Sequence, residues 1–307
     1  MLYSILEKGE FSPFSKIEIF TRMIFKREKY INKLISHQNN KRIKIITGIR
    51  RCGKSYLLFE LFKNHLKTAG VKDNHIIEIQ FDDIKNKELR DADKCYKFVT
   101  SKIKGKGTFY VLLDEVQMLN NFTDVLNGFL HITNLDVYVT GSNSKFLSSD
   151  VATEFRGRGD EIRIYPLSFS EYNSVFPDNW EENWKQYYTY GGLPYIALLK
   201  SDEEKISYLQ NIFQETYLQD IIDRNKIKNT QELNILVDIL ASSIGSLTNP
   251  QKLSDTFKSN AKINISAPTL KNYCNYLQDA FLIKETKRYD GKGKQYINTP
   301  FNFICVF

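Results

Sequence analysis

The chain has 307 residues, 42% of them hydrophobic and 26% charged, with a formal net charge of +7. That balance is ordinary for a globular chain with real cores, and the length has room for about two domains. No stretch approaches the roughly 18 apolar residues of a membrane-spanning helix, and Glu7, Lys8 and Glu10 fall where a secretory signal needs an apolar run; a cytoplasmic chain with no membrane partner is expected.

Residues 1–24 are weakly patterned and read as a lead-in. Phe25 to Gln38 reads as a short helix before the first strand. Next comes RIKIITGIRRCGKSYLL, Arg42 to Leu58. A β-branched run (Ile43, Ile45, Ile46, Thr47) leads into Gly48-Ile49-Arg50-Arg51-Cys52-Gly53-Lys54-Ser55. Helical spacing follows through Leu57, Leu58, Leu61, Phe62 and Leu66. This is G-x-x-x-x-G-K-[ST] between a strand and a helix, the context the motif needs. Glycines let backbone N–H groups close on phosphate oxygens, and the helix N-terminus adds its dipole. Residues Gly48 to Tyr56 are therefore the expected ATP-binding loop. Lys54 would reach the β- and γ-phosphates, and Ser55 would be a ligand of Mg²⁺. The competing reading is a glycine-rich turn that binds nothing.

After a stop at Gly70, His75 to Phe81 reads as a strand ending in Asp82-Asp83, and Glu88 to Lys102 as a helix. Thr108 to Glu115 is a strand buried on both faces, because Phe109 to Leu113 are consecutively apolar. It ends in Asp114-Glu115, where a Walker B pair belongs. Asp114 would hold Mg²⁺ and Glu115 would orient and polarise the attacking water; otherwise the two acids merely cap a strand. Leu126 to Ile132 reads as helical. Leu135 to Thr140 is a fourth strand, followed by Gly141-Ser142-Asn143-Ser144. A polar residue there can sense the γ-phosphate; Asn143 is favoured over Ser142, against the alternative of a plain turn. Arg156 and Arg158 precede a fifth strand, Glu161 to Tyr165. Either could set a guanidinium on phosphate, in the same chain or from a neighbouring copy, or simply pair with Asp160 or Glu161. Alternating strands and helices argue for a parallel α/β sandwich with its ligand at the carboxyl ends of the strands.

Pro166 to Tyr172 reads as a hinge. Trp180 to Tyr190 is helical, Gly191 to Pro194 a turn, and Glu203 to Asn225 a long helix with Asp220 and Arg224 spaced to pair. Helices follow at Glu232 to Ile244, from Pro250 to about Lys258, and from Ser266 to Leu277. A hairpin is expected from Phe281 to Lys287 and Lys294 to Ile297 around Gly291-Lys292-Gly293. Three helices and a basic hairpin make a winged helix-turn-helix. Lys271 and Asn272 would lie on its recognition helix, and Lys287, Arg288, Lys292 and Lys294 on its wing. Residues 245–307 carry nine Lys/Arg against four Asp/Glu, compatible with DNA but not demanding it. Four cysteines, Cys52, Cys95, Cys274 and Cys305, show no metal-ligand spacing.

The set GIRRCGKS, LLDEVQ, VTGSNS, GRGDEIRIYPLSFSEY, YGGLP and LQDIIDR resembles the bacterial and archaeal AAA-type ATPases that carry a P-loop domain, a winged-helix segment and a C-terminal domain of unknown function. The resemblance runs from about Arg22 to Pro300. It implies a P-loop NTPase of the additional-strand, catalytic-glutamate class, and it matches Gly157-Arg158 to the family's Gly-Arg step. Relatives continue past Tyr296–Pro300 into a further domain. Here Phe301 to Phe307 is an apolar tail with no evident packing site, so that domain is expected to be missing.

The expected organisation is a lead-in at 1–24, an ATPase domain at 25–166, a helical lid at 167–230, a winged helix at 231–298 and a truncated tail at 299–307. The expected function is Mg-dependent ATP hydrolysis coupled to rearrangement of the C-terminal modules, with DNA and a homo-oligomer as candidate partners. The catalytic residues are then Glu115, Asn143 and Arg158. The main alternative is a slowly hydrolysing nucleotide switch that regulates DNA or protein binding. A small-molecule kinase is disfavoured by the Asp114-Glu115 pair and the winged-helix segment.

Overall fold

The computed structural model describes residues 25–141, 155, 157–243, 246–286 and 302–305. Its centre is a five-stranded, all-parallel sheet of order β2-β3-β4-β1-β5. The strands are β1 (Ile43–Thr47), β2 (Ile76–Gln80), β3 (Phe109–Asp114), β4 (Leu135–Thr140) and β5 (Gly159–Arg163). Every residue of β1 and β3 is buried. Helices cover both faces, so β3 is apolar from Phe109 to Leu113, and the one charge within β1, Lys44, is buried with its partner. Alternate residues serve the two faces. Ile46, Leu112 and Tyr138 pack with Leu58 and Phe62 of α2 (residues 54–68), whereas Ile45, Val111 and Val139 pack with Val99 of α3 (Ala92–Lys102) and Leu126 of α4 (Phe122–Leu130).

Strand β4 pairs with both β1 and β3, with Ile46 opposite Thr140 and Leu113 opposite Val139. The carboxyl ends of these three strands therefore lie side by side. At the opposite edge, the fully buried Lys44 ammonium pairs with Asp136. Tyr138 donates its hydroxyl to the same carboxylate at 2.8 Å, the Asn39 N–H does so at 3.0 Å, and Lys44 also donates to the Arg42 carbonyl at 2.8 Å. Burial lowers the Lys44 pKa, and Asp136 pulls it back.

Some expected boundaries move and others hold. Helix α3 begins at Ala92, where the Asp91 carboxylate caps it by accepting from the Lys94 N–H; Ile84–Arg90 is a separate 3₁₀ segment. Strand β5 starts two residues early because Gly159 pairs with Ile43. The long helix expected to end at Asn225 is α7, residues 202–225, and it contains a wide π-helical stretch at Ile212–Leu218.

Between β5 and α7, Ser168 and Glu171 form a reciprocal capping box on the short helix α5 (Phe169–Asn173). Glu171 also pairs with Arg27 at 3.2 Å, which ties the segment before the first helix, α1 (Glu28–Ser36), to the turn after β5. Further on come α6 (Trp180–Tyr190), then beyond α7 the helices α8 (Thr230–Ser242), α9 (residues 250–261) and α10 (Ala267–Asp279). The apolar cluster on the α2 face continues through Ile212, Leu218 and Ile221 of α7 into Leu233, Leu253, Phe257 and Leu270. The C-terminal helices are thus packed onto the sheet domain by one continuous core.

The tail finds a place that the sequence did not suggest. Residues Asn302–Cys305 form β7, antiparallel to β6 (Ile283–Thr286), with Ile283 opposite Cys305. The hairpin partner expected at Lys294–Ile297, with its turn and the basic residues 287, 288, 292 and 294, lies outside the described residues.

Candidate functional site

The loop after β1 is shaped by two residues that tolerate no ordinary substitution. Gly48 has φ +148°, and a Cβ there would sit 2.4 Å from the Ile164 carbonyl oxygen. Gly53 has φ +96° and caps α2. Between them Arg51 adopts a left-handed conformation at φ 62°, a costly choice for a side-chain-bearing residue that turns the loop back on itself. Lys54 is 5% exposed. Its ammonium donates to the Gly48 and Ile49 carbonyls at 3.0 Å each, so it lies folded over the loop. Cys52 is fully buried beneath the loop, and burial pushes its thiol pKa up, so it packs rather than reacts.

The ends of β3 and β4 face that loop. Asp114 is 3% exposed. The Ser55 hydroxyl hydrogen-bonds its carboxylate, and Thr140 Oγ1 donates to Asp114 Oδ1. Burial raises the Asp114 pKa. The Ser55 and Thr140 hydroxyls oppose that rise, and the nearby acids Glu115 and Asp82 add to it. Glu115 turns out of the strand at φ 50°. Its N–H donates to Thr140 Oγ1 at 3.3 Å, and Gln117 Nε2 donates to its carboxylate.

A cavity of about 790 Å³ opens over these groups. Residues Arg50 to Tyr56 line it on one side, Asp82, Glu115 and Gln117 on another, and Phe25, Leu167, Pro194 and Tyr195 form a more apolar wall. Hard oxygen donors at Ser55 and Asp114 have the chemistry that suits Mg²⁺; these residues fit such an ion. A larger cavity of about 1310 Å³ opens beside it, between α1, the turn after β5 and α7. It contains none of the loop or strand-end acids, so the chemistry points to the smaller one.

The structure gathers Gly48 to Tyr56, Asp114 and Glu115 at one edge. It does not bring Arg158 there. That residue precedes β5, and its carbonyl accepts from the Ile43 N–H at 2.9 Å, at the start of β1. Because β1 and β5 run parallel, Arg158 lies at the edge opposite the loop, exposed, with its guanidinium on Asn127 at 3.1 Å. The expectation that it reaches the site within its own chain is corrected: a residue before a parallel strand cannot gather with residues that follow one. Asn143, Ser142 and Arg156 lie outside the described residues. Sequence reasoning missed three groups. Thr140 is the last strand residue, where its hydroxyl falls between the Asp114 carboxylate and the Glu115 N–H. Gln117 sits two positions after Glu115. Asp220 was expected to pair along its helix with Arg224, yet its carboxylate lies 3.1 Å from Arg50 in the loop.

A family model described as an AAA domain matches residues 40–173, and a second, described as a domain of unknown function (DUF8612), matches residues 181–303. An uncharacterized protein of Haemophilus influenzae is 32% identical, over 93% of this chain and 72% of its own length. An uncharacterized protein of Methanocaldococcus jannaschii is 28% identical, over 92% of this chain and 65% of its own length. Among solved structures, the Aeropyrum pernix ORC2 protein in its ADPNP–ADP complexes aligns over 91% of this chain and 87% of that one, with 12% identity and a TM-score of 0.45.

The fold and the loop define a P-loop NTPase. The chain belongs to the AAA-type family in which an AAA domain is followed by this domain of unknown function. The expectation that the C-terminal domain is missing is thereby corrected, since the second match runs from residue 181 to 303 and includes helices α7 to α10. The AAA-domain match supports ATP binding. Among the described residues no helix is long and apolar enough to cross a membrane.

Proposed function

We propose that this chain binds Mg·ATP and hydrolyses it. The observation that carries the reading is the hydrogen-bonded set Ser55–Asp114–Thr140 beside Glu115, at the mouth of the loop that holds Lys54. The loop amides and the start of α2 would bind the phosphates, with Lys54 leaving the Gly48 and Ile49 carbonyls to meet them. Ser55 and Asp114 would hold Mg²⁺, which when bound neutralises phosphate charge. Glu115, steered by Gln117, accepts a proton from the attacking water. Thr140 keeps Asp114 and the Glu115 backbone in register, and the γ-phosphate sensor remains assigned to Asn143. Phe25, Leu167 and Pro194 offer an apolar wall against which a base can lie. Arg158 keeps only the role of a group offered by a neighbouring copy.

The domain reading at 25–166, 167–230 and 231–298 belongs to the same proposal, with α8, α9 and α10 as the three helices of a winged helix and β6–β7 as strands of its wing. Lys271 and Asn272 are exposed on α10, which supports a DNA-contact reading. The shared core between α7 and the sheet supports coupling of the nucleotide state to that module.

The test is ATP binding and turnover by the purified chain, with and without DNA. Lys54→Ala is expected to lose ATP binding. Glu115→Gln is expected to keep binding and lose turnover by about 100-fold or more. Wild-type turnover in Glu115→Gln would refute the assignment of the base. Slow turnover that DNA does not change, with nucleotide-dependent DNA affinity, would favour the nucleotide switch over hydrolysis-coupled rearrangement.

A further inference from the structure

One segment of the C-terminal half grips the phosphate loop at two successive residues. Arg50 Nε lies 3.1 Å from Asp220 Oδ2, and each side chain is 37% exposed. The Tyr217 hydroxyl donates to the Arg50 carbonyl at 3.0 Å. The Arg51 guanidinium lies 5.9 Å from the centre of the Tyr208 ring. All three partners belong to α7. Tyr217 lies in its wide stretch Ile212–Leu218, and Asp220 lies just beyond, where α-helical geometry resumes. Both arginines, Tyr208 and Thr216 line the same cavity as Lys54 and Glu115.

A partly exposed arginine–carboxylate pair is weakly held and exchangeable. A guanidinium binds phosphate oxygens at least as well, and can do so with two parallel hydrogen bonds. The loop holds Arg50 beside the cavity, and a triphosphate there offers more negative charge than one carboxylate. Asp220 is poorly accommodated without its cation: burial raises its carboxyl pKa, and Arg50 is the group that pulls it down.

We propose that Arg50 is a phosphate ligand held in reserve. Asp220 binds its guanidinium in the nucleotide-free chain, the γ-phosphate of ATP takes it over, and α7 loosens its grip on the loop. This rests on the reading of the cavity as an ATP site. The wide stretch supplies the element that can change state, because a helix that shifts from π-helical to α-helical register turns its downstream residues by about 100° for each residue of shift. Arg50 thereby reads the third phosphate, and α7 carries that reading into the domain of unknown function.

The experiment is hydrogen exchange over residues 212–225, with nucleotide affinity measured on the same samples, using ADP and a non-hydrolysable ATP analogue. In the wild-type chain the ATP analogue should speed exchange after Tyr217 and ADP should not. Asp220→Asn should exchange quickly without nucleotide and bind the ATP analogue about fivefold more tightly. Arg50→Gln should lose about tenfold in affinity for the ATP analogue and little for ADP, with exchange indifferent to nucleotide. Arg50→Lys should restore part of that preference, which a merely structural role for Arg50 would not produce. Normal binding of both nucleotides with identical exchange in the wild-type chain would overturn this proposal alone. Absence of nucleotide binding in the wild-type chain would overturn the cavity reading and this proposal with it.

Discussion

Asp114→Asn should make the nucleotide-free protein more stable while abolishing its response to Mg·ATP. The carboxylate is 3% exposed. Burial raises its pKa, Glu115 and Asp82 raise it further, and only the Ser55 and Thr140 hydroxyls oppose them. A raised pKa means that the folded chain holds this proton to higher pH than the unfolded chain does. The cost of the buried charge is therefore absent below the unfolded value near 4, grows as pH rises toward the raised folded value, and is complete once pH exceeds it. Asparagine keeps an oxygen that accepts from Thr140 and Ser55 but carries no charge. Relief of a strained site of this kind stabilises by roughly 0.5–2 kcal/mol. The assay is thermal unfolding of both proteins from pH 4 to 8, with the difference in midpoint plotted against pH so that shared titrations cancel. Asparagine should lead at pH 7, and the lead should shrink toward pH 4. With Mg·ATP at 100 times its dissociation constant, the wild-type chain should gain about 2.7 kcal/mol and the variant nothing. A variant less stable than wild type at pH 7, or a difference that does not narrow as pH falls, would refute the argument.

Gly192→Ala would drive a Cβ to 2.2 Å from the Leu167 carbonyl oxygen and 3.1 Å from its nitrogen. Backbone meets backbone there, so the junction after β5 must open, at about 3 kcal/mol; a wild-type melting midpoint would contradict this. Asp136→Ala leaves the Lys44 ammonium buried without its carboxylate and should cost about 3–5 kcal/mol. The double change Lys44→Met, Asp136→Leu should recover most of that in chemical denaturation. Thr140→Val keeps the shape of the β4 terminus but removes the hydroxyl between Asp114 and the Glu115 N–H, so turnover should fall more than tenfold with ATP affinity within a few-fold of wild type.

The strands were legible where both faces are buried, because a short run rich in β-branched and apolar residues has few other uses. Ile43–Thr47 and Leu135–Thr140 appear as read. Strand β5 was shifted because Gly159 and Asp160 carry no strand signal of their own; their pairing with β1 puts them in the sheet. The start of α3 was legible in Asp91, a strong capping residue, but Glu88 drew the boundary outward. In the candidate site, the gathering of Lys54, Ser55, Asp114 and Glu115 was legible because motif spacing after successive parallel strands sets it. Thr140 was not, since it looked like the last residue of an apolar strand, and its role depends on β4 lying between β1 and β3. Asp220 was not, because its partner lies 170 positions away in sequence, and i,i+4 spacing offered Arg224 as a nearer one. Arg158 was misplaced because the direction of a strand decides to which edge its flanking residues go.

Strands β1 and β4 end at the proposed phosphate site and carry the Lys44–Asp136 pair near their other ends. Lys44 stands three residues before the end of β1 and Asp136 four before the end of β4, so at about 3.3 Å each the pair lies roughly 10–13 Å from those ends, at the edge of the ~10 Å over which charge is felt in ordinary salt, and as a neutral pair it projects less field still. The molecule thus contains its own control. Edits at the far terminus change how many molecules are folded without touching how each folded one works, so activity divided by folded fraction should stay constant across them.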